Sequence, residues 1–323
     1  METKSKNDVE LESENLVNRI ARVDIFSLTP KTFFDQYQKT GTPVTITGLL
    51  AQEQDWNLDY LCNELGNRAV PIRRYGRDRY KQDKRNWKSI GSGVVTQDIP
   101  FKEYAEMLRN GQAHENDIYL GKGTLKNTPL ADTHSLKVMG EKLGLTPATD
   151  YRLYMGLGGH TSSMHYDIAD GTLVQLHGAK KVVLFPPTQT DNLYPFSVYV
   201  HLRHGFKLRC CYSRVCPENP DMQSFPKFQE AIPYKCEVVI NQGEILYIPA
   251  YWWHEITTLG NEMVCSVSRF WRVYPTSRAV FSWSRWRAIL GNVLALPHLL
   301  INLAIALTSS NRQQKIRQIL SML

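Results

Sequence analysis

The chain has 323 residues, enough to bury a large core in one or two domains. A hydrophobic fraction of 42% with 21% charged residues is that of a globular protein and excludes a disordered one. The net charge of +7 comes without a long basic run, so it reads as a solvated basic surface more than a nucleic-acid or acidic-lipid patch; six scattered cysteines in a chain this long exclude a disulfide framework.

Residues 1 to about 20 read as a polar leader that turns into a helix. METKSKNDVELESENL lacks the apolar core of a signal peptide, so a reducing cytoplasm is the expected location. SLTPKTFFDQYQKT opens with a Ser/Thr-Pro entry signal and carries Phe33, Phe34 and Tyr37 at helical spacing. GTPVTITGLL is a β-branched run between glycines and predicts a strand. WNLDYLCNELG predicts a helix stopped at Gly66, AVPIRRYG another strand, and IPFKEYAEMLRNG an amphipathic helix ending at Gly111.

From Asp117 the pattern changes to short strands separated by Gly, Pro and Asn: DIYLG, DYRLYMGLGG, GTLVQLHG, KKVVLFPP, CEVVINQGEILYIPA and EMVCSVSRFWRV. Many short strands at close spacing predict a sandwich or barrel. The expected fold is mainly β with added helices, in three regions: 1–116 as a helical and mixed layer packed on the core, 117–275 as the β core, and 276–323 as a helical tail.

Within the core, TSSMHYDIADG sets His165 and Asp167 two residues apart. In a strand such residues share a face, with Tyr166 turned the other way. GEILYIPAYWWHEI supplies His254 behind a strand that begins at Gly243 and ends at Pro249. By itself His254 reads as a hydrogen-bonded core histidine, since a buried imidazole needs a partner. Paired with His165 and Asp167, it completes two histidines and one carboxylate, a set that binds Fe(II) on one side and leaves positions open.

HYD at 165–167, GAKKVVLFPP, NPD…FPKFQ and GEILYIPAYWWHEI together resemble the JmjC-type cupin dioxygenases that use Fe(II) and 2-oxoglutarate, the nearest pattern being the factor-inhibiting-HIF asparaginyl hydroxylase group. The likeness runs from about Pro43 to Trp271. It implies a double-stranded β-helix, or jelly roll, with His165, Asp167 and His254 as both metal ligands and catalytic centre. It places Lys180 on the distal carboxylate of 2-oxoglutarate, with Tyr119, Ser162 and Thr172 as hydroxyl donors, and Arg269 either as a charged stand-in near the keto acid or pointing outward. Lys180 also reads as a surface residue of the AKK pair, and Ser162 as a turn former. Tyr154, Trp252, Trp253 and Phe270 would line the site. Gly171, Arg269 and Gly121 replace amide residues of the asparaginyl hydroxylases, so asparagine is not carried over as the target.

The resemblance implies hydroxylation of a C–H bond in a protein, RNA or small-molecule substrate, with O2 consumed and succinate and CO2 released. A non-catalytic metal-binding cupin and a tRNA-modifying hydroxylase are the alternatives. RRYGRDRYKQDKRNWK reads as a solvated face or an RNA or acidic-peptide grip. His201, His204, Cys210, Cys211 and Cys216 carry zinc-ligand types without a finger spacing, and read better as a basic, substrate-facing insertion. AILGNVLALPHLLINLAIALTSS is an apolar stretch interrupted by Asn292, Pro297, His298 and Asn302. It predicts a homodimer through C-terminal helices, with peripheral membrane contact or an intramolecular cap as alternatives.

Overall fold

A computed structural model describes residues 19–322. The polar leader expected at the N-terminus lies outside the described residues, apart from its last two.

Thirteen strands form two sheets among the described residues. In chain order they are β1 (Ala21–Asp24), β2 (Val44–Thr47), β3 (Ala69–Arg74), β4 (Thr96–Pro100), β5 (Ile118–Thr124), β6 (Arg152–Leu157) and β7 (Thr161–His165). They continue with β8 (Asp170–His177), β9 (Lys180–Phe185), β10 (Cys236–Ile240), β11 (Ile245–Ile248), β12 (Trp253–Thr258) and β13 (Met263–Trp271). The large sheet runs β1-β2-β11-β8-β13-β6-β5-β3-β4 and the small one β10-β9-β12-β7. Apart from the parallel pair β1–β2, every pairing is antiparallel. The result is the jelly-roll core with added helices that the sequence leads one to expect.

Period-two alternation divides the apolar residues among three layers. Between the sheets, Leu173, Leu246 and Ile248 meet Val182, Leu184, Val238 and Ile240. Val174, Tyr247, Val267 and Trp271 on the outer face of the large sheet pack against Phe33, Trp56, Leu61, Tyr104 and Leu136. Those partners come largely from α1 (Leu58–Leu65), α2 (Phe101–Arg109) and α3 (His134–Leu143). Outside the small sheet, Met164, Val183, Phe185 and Trp253 pack on Phe225 and Phe228.

The helix signals hold locally. Thr29 and Thr32 form a reciprocal cap ahead of Pro30, and Asn57 caps α1 by accepting from the Tyr60 N–H. Gly66 closes α1 at φ 53°, a left-handed angle that favours glycine.

A short helix α4 (Val200–His204) lies between β9 and β10, and the tail holds α5 (Trp283–Leu307) and α6 (Arg312–Met322). Helix α5 buries a stripe of small residues, Ser284, Ala288, Gly291 and Ala295, at helical spacing. Gly291 is required there: a Cβ would stand 2.6 Å from His201 Nε2 and 2.8 Å from Cys210 Sγ. The Cys210 N–H donates to His201 Nε2, so the His/Cys segment packs α5 rather than building a zinc centre. Among the described residues the single cluster with metal-ligand geometry is His165, Asp167 and His254. Trp283, Val293, Leu300, Ile301 and Ile305 of α5 are exposed, and the helix is long and apolar enough to cross a membrane by length and composition.

Candidate metal centre

His165 closes β7 and His254 is the second residue of β12, directly opposite it in the ladder. The sequence places His254 just beyond a strand ended by Pro249; in the structure β11 ends at Ile248 and His254 lies second in a separate strand opened by Trp253. The rings are 4.4 Å apart between centroids and tilted by 55°. Each imidazole is fixed through Nδ1: His165 on the Ser163 carbonyl at 2.8 Å, His254 on the Trp252 carbonyl at 3.0 Å. Nε2 is thereby left on each ring as the ligand nitrogen. Enclosure, followed by the neighbouring His254, pushes the His165 imidazole down to about 4, the neutral form a metal requires.

Asp167 lies past the end of β7, so the sequence reading of one strand carrying both ligands is corrected: His165 is the last strand residue and Asp167 follows in the connection. Its carbonyl accepts from the Tyr251 N–H at 2.8 Å, and Asp170 accepts from the Ala250 N–H at 2.8 Å. Arg278 pairs with Asp170 at 3.1 Å and locks the loop from outside. Asp167 Oδ2 stands 3.5 Å from His254 Nε2, and the three ligand atoms all lie within 4.8 Å of one another. Tyr166 turns the other way, as expected, into the outer apolar layer.

A β-bulge shapes this corner. His165 opposes His254 while Ser162 opposes Ile256, so three steps on β7 match two on β12. The extra residue brings Ser162 and His165, an odd number of positions apart, to one cavity. Glu255 accepts from the Met164 N–H at the bulge (3.0 Å) and lies 3.8 Å from the buried Lys84 ammonium, which donates to the Val215 carbonyl at 2.6 Å.

The cavity, about 110 Å³, is lined by the three ligands with Tyr119, Tyr154, Ser162, Lys180 and Phe270. Lys180 is 2% exposed, which removes its surface reading. Its Nζ donates to Ser266 Oγ at 2.5 Å and to the Tyr119 hydroxyl at 3.4 Å. Among the described residues no carboxylate is within ion-pair distance, and burial pushes Lys180 down to about 8. A buried ammonium held only by hydroxyls is a costly group that an anion would stabilise. Tyr119 is positioned by His160, whose ring stacks on it at 3.7 Å and whose Nδ1 meets Asp117 at 2.8 Å.

Arg269 does not line the cavity, and Thr172 lines it but engages its hydroxyl elsewhere. On β13, Ser266, Ser268 and Phe270 face inward, so Arg269 faces out; it donates to the Thr149 carbonyl and lies over Tyr151 and Trp271. Thr172 pairs with Arg269 across β8–β13, and its hydroxyl accepts from the Trp271 indole at 3.0 Å. Strand parity thus favours the outward alternative for Arg269. Trp252 and Trp253 also point elsewhere, donating to the Gly41 carbonyl and to Thr190.

The basic segment 73–88 is divided: Arg74, Lys81, Arg85 and Lys88 are exposed, as a solvated face requires, while its other cations bond inside the chain. Arg73 donates to the Gly121 and Val94 carbonyls, Arg77 to the His114 and Gly159 carbonyls, and Arg79 to the Thr161 carbonyl beneath three aromatic rings. Sequence reasoning missed Tyr212, whose ring stacks on His165 at 4.9 Å, and also His160, Glu255 and Ser266. Their partners are distant along the chain; the one local signal was a polar group inside an otherwise apolar strand.

Comparison with known proteins agrees with this architecture. The family described as "Cupin-like domain" matches residues 30–277. "JmjC domain-containing protein D" of Dictyostelium discoideum is 29% identical over 272 residues, covering 79% of this chain and 56% of that protein. "Lysine-specific demethylase JMJ30" of Arabidopsis thaliana is 31% identical over 255 residues, 76% of this chain and 53% of that protein. Human "tRNA wybutosine-synthesizing protein 5" is 34% identical over 113 residues, 35% of this chain and 30% of that protein. The chain spans about half the length of the first two.

Proposed function

The chain belongs to the cupin-like family of JmjC domains, and from that premise we propose that it is an Fe(II)- and 2-oxoglutarate-dependent dioxygenase hydroxylating a C–H bond. The balance is substrate C–H, 2-oxoglutarate and O2 giving substrate C–OH, succinate and CO2. His165, His254 and Asp167 would hold the metal through two Nε2 atoms and a carboxylate oxygen. Fe(II) supplies the reduction of O2 that couples cosubstrate decarboxylation to substrate oxidation. Lys180, with Tyr119, Ser266 and Ser162 around it, would bind the distal carboxylate and so orient the cosubstrate toward the three ligands. Tyr154 and Phe270 wall the cavity and limit water.

One observation carries the reading: three ligand groups and an ammonium without a carboxylate partner share one small cavity. A metal-binding cupin without turnover has no use for that charge. A tRNA-modifying role finds little support in the 73–88 segment, whose Arg73, Arg77, Arg79 and Lys84 bond inside the chain.

The test is succinate formation with Fe(II) and 2-oxoglutarate, screened against peptide, tRNA and amino-acid pools and read by a mass gain of one oxygen. Formaldehyde release in place of that gain would assign N-demethylation. Metal binding without 2-oxoglutarate binding would leave the non-catalytic cupin.

A further inference from the structure

Helix α5 turns its small side chains to the fold and its bulky apolar ones to water. At about 3.6 residues per turn, Trp286, Leu290, Val293, Leu296 and Leu300 fall on one face, and Ser284, Ala288, Gly291 and Ala295 on the opposite one. The small face is the buried one, whereas Leu300 is 64% exposed, as is Trp283 at the edge of the bulky face. A surface helix of a water-soluble protein carries the reverse arrangement. From Trp286 to Leu307 the apolar face is about 32 Å long at about 1.5 Å per residue. An exposed patch of that extent marks contact with a partner or a membrane.

Charge decides between them. From Met263 to Leu323 the chain has eight arginines and lysines and no aspartate or glutamate. Arg278 is paired with Asp170, but Arg272, Arg312, Lys315 and Arg317 are exposed, and the Arg285 guanidinium lies 5.9 Å from the Trp286 ring. Tryptophans at one end, a long apolar face and cations beyond both ends suit the boundary between anionic headgroups and acyl chains. A second copy docking through the same face would set two carboxylate-free tails against each other, because a two-fold contact repeats one surface on both sides. Residues 1–18 bring carboxylates but only five apolar side chains, too few to cover the face.

The helix is also held along the surface of the fold. Gly291 packs against His201 and Cys210, Arg287 donates to the Phe196 carbonyl at 2.8 Å, and Arg209 donates to the Met322 carbonyl at the end of α6. We propose that the outer face of α5, with the cations that flank it, docks this protein on an anionic phospholipid surface, the helix lying in the plane of the interface. This inference goes beyond the oxygenase reading and does not depend on it.

The experiment is co-sedimentation of the full chain with vesicles of phosphatidylcholine alone and of equal parts phosphatidylcholine and phosphatidylserine. The mixed vesicles should bind about tenfold or more tightly, the advantage shrinking as salt rises. Brominated acyl chains should quench tryptophan emission, because Trp283 and Trp286 are exposed. Val293→Glu with Leu300→Glu, both on the outer face, should weaken binding to both vesicle types about tenfold and leave the circular dichroism spectrum unchanged. Arg312→Glu with Lys315→Glu should remove the preference for phosphatidylserine while binding to phosphatidylcholine persists. Equal binding of the unmutated chain to both vesicle types, or binding to neither, would overturn the proposal. So would a dimer in light scattering that the Val293 and Leu300 changes dissolve, which assigns the face to a second copy, or vesicle binding only after residues 1–18 are removed, which assigns it to that segment. Shielding of Arg312 and Lys315 from trypsin inside the vesicles would make α5 a span and overturn the in-plane placement.

Discussion

The hydroxyl of Tyr166 donates to the carbonyl of Ser284 at 2.9 Å, so the residue between His165 and Asp167 is tied to the first turn of α5. Its ring packs edge-on against Trp253, which precedes His254, at 4.8 Å. One side chain thus braces all three ligands from behind. Tyr166→Phe should remove about 1 kcal/mol, seen as a Tm lower by about 2–4 °C, and weaken Fe(II) affinity severalfold in a metal titration. A lower Tm with unaltered metal affinity would show the contact to be structural only.

His165→Ala should abolish succinate formation and metal binding while leaving the circular dichroism spectrum unchanged, because the ladder beside it is held by backbone bonds. Turnover persisting in this variant would remove the assigned centre.

Lys180 sets a pH dependence. Burial lowers its folded pKa to about 8, below its usual value, so the empty fold disfavours the charged form and the buried ammonium is lost as pH rises through about 8. Binding of 2-oxoglutarate needs that charge, so its affinity should be full below about pH 8 and fall by up to about tenfold per unit above it. Lys180→Ala should weaken binding and flatten the profile, measured by calorimetry across pH. A profile unchanged by the substitution would assign the carboxylate to another group.

Arg269→Ala separates the sequence expectation from the structure. Arg269 lies over Tyr151 and Trp271 at 4.7 and 5.0 Å, outside the cavity. The change should cost about 1 kcal/mol in urea unfolding and leave 2-oxoglutarate affinity as it was. Weakened cosubstrate binding without loss of stability would restore its expected role.

Lys84→Met should cost about 3–5 kcal/mol, since it strips a buried carboxylate, Glu255, of its cation. With Glu255→Gln added, the double variant should lose less than the two single changes together, measured by urea denaturation. Strict additivity would show that the pair is not coupled.

The strands of the core were legible because their apolar runs are bounded by Gly, Pro and Asn. The clustering of His165, Asp167 and His254 was legible because they sit in motifs with distinctive neighbours. What stayed open was facing. Arg269 is one residue out of phase with Phe270, and only the pairing of β8 with β13 fixes which set looks inward. The basic run at 73–88 was legible in part for a related reason: Arg74, Lys81, Arg85 and Lys88 are exposed as expected, but composition does not show the carbonyls of Gly121, His114 and Thr161 that take up Arg73, Arg77 and Arg79 across the fold. Ser266 and Tyr212 have no signal in their own segments.

The irregular pairing of β7 with β12 makes the pocket depend on chain length as well as side-chain chemistry. A variant with one residue deleted between Ser162 and His165 would keep every motif letter from His165 onward. Regular alternation without the bulge would then keep the serine hydroxyl on the face of His165, whereas the odd spacing found here needs the bulge to do so. Counting residues upstream of the first ligand is therefore as informative about a relative's pocket as finding its histidines.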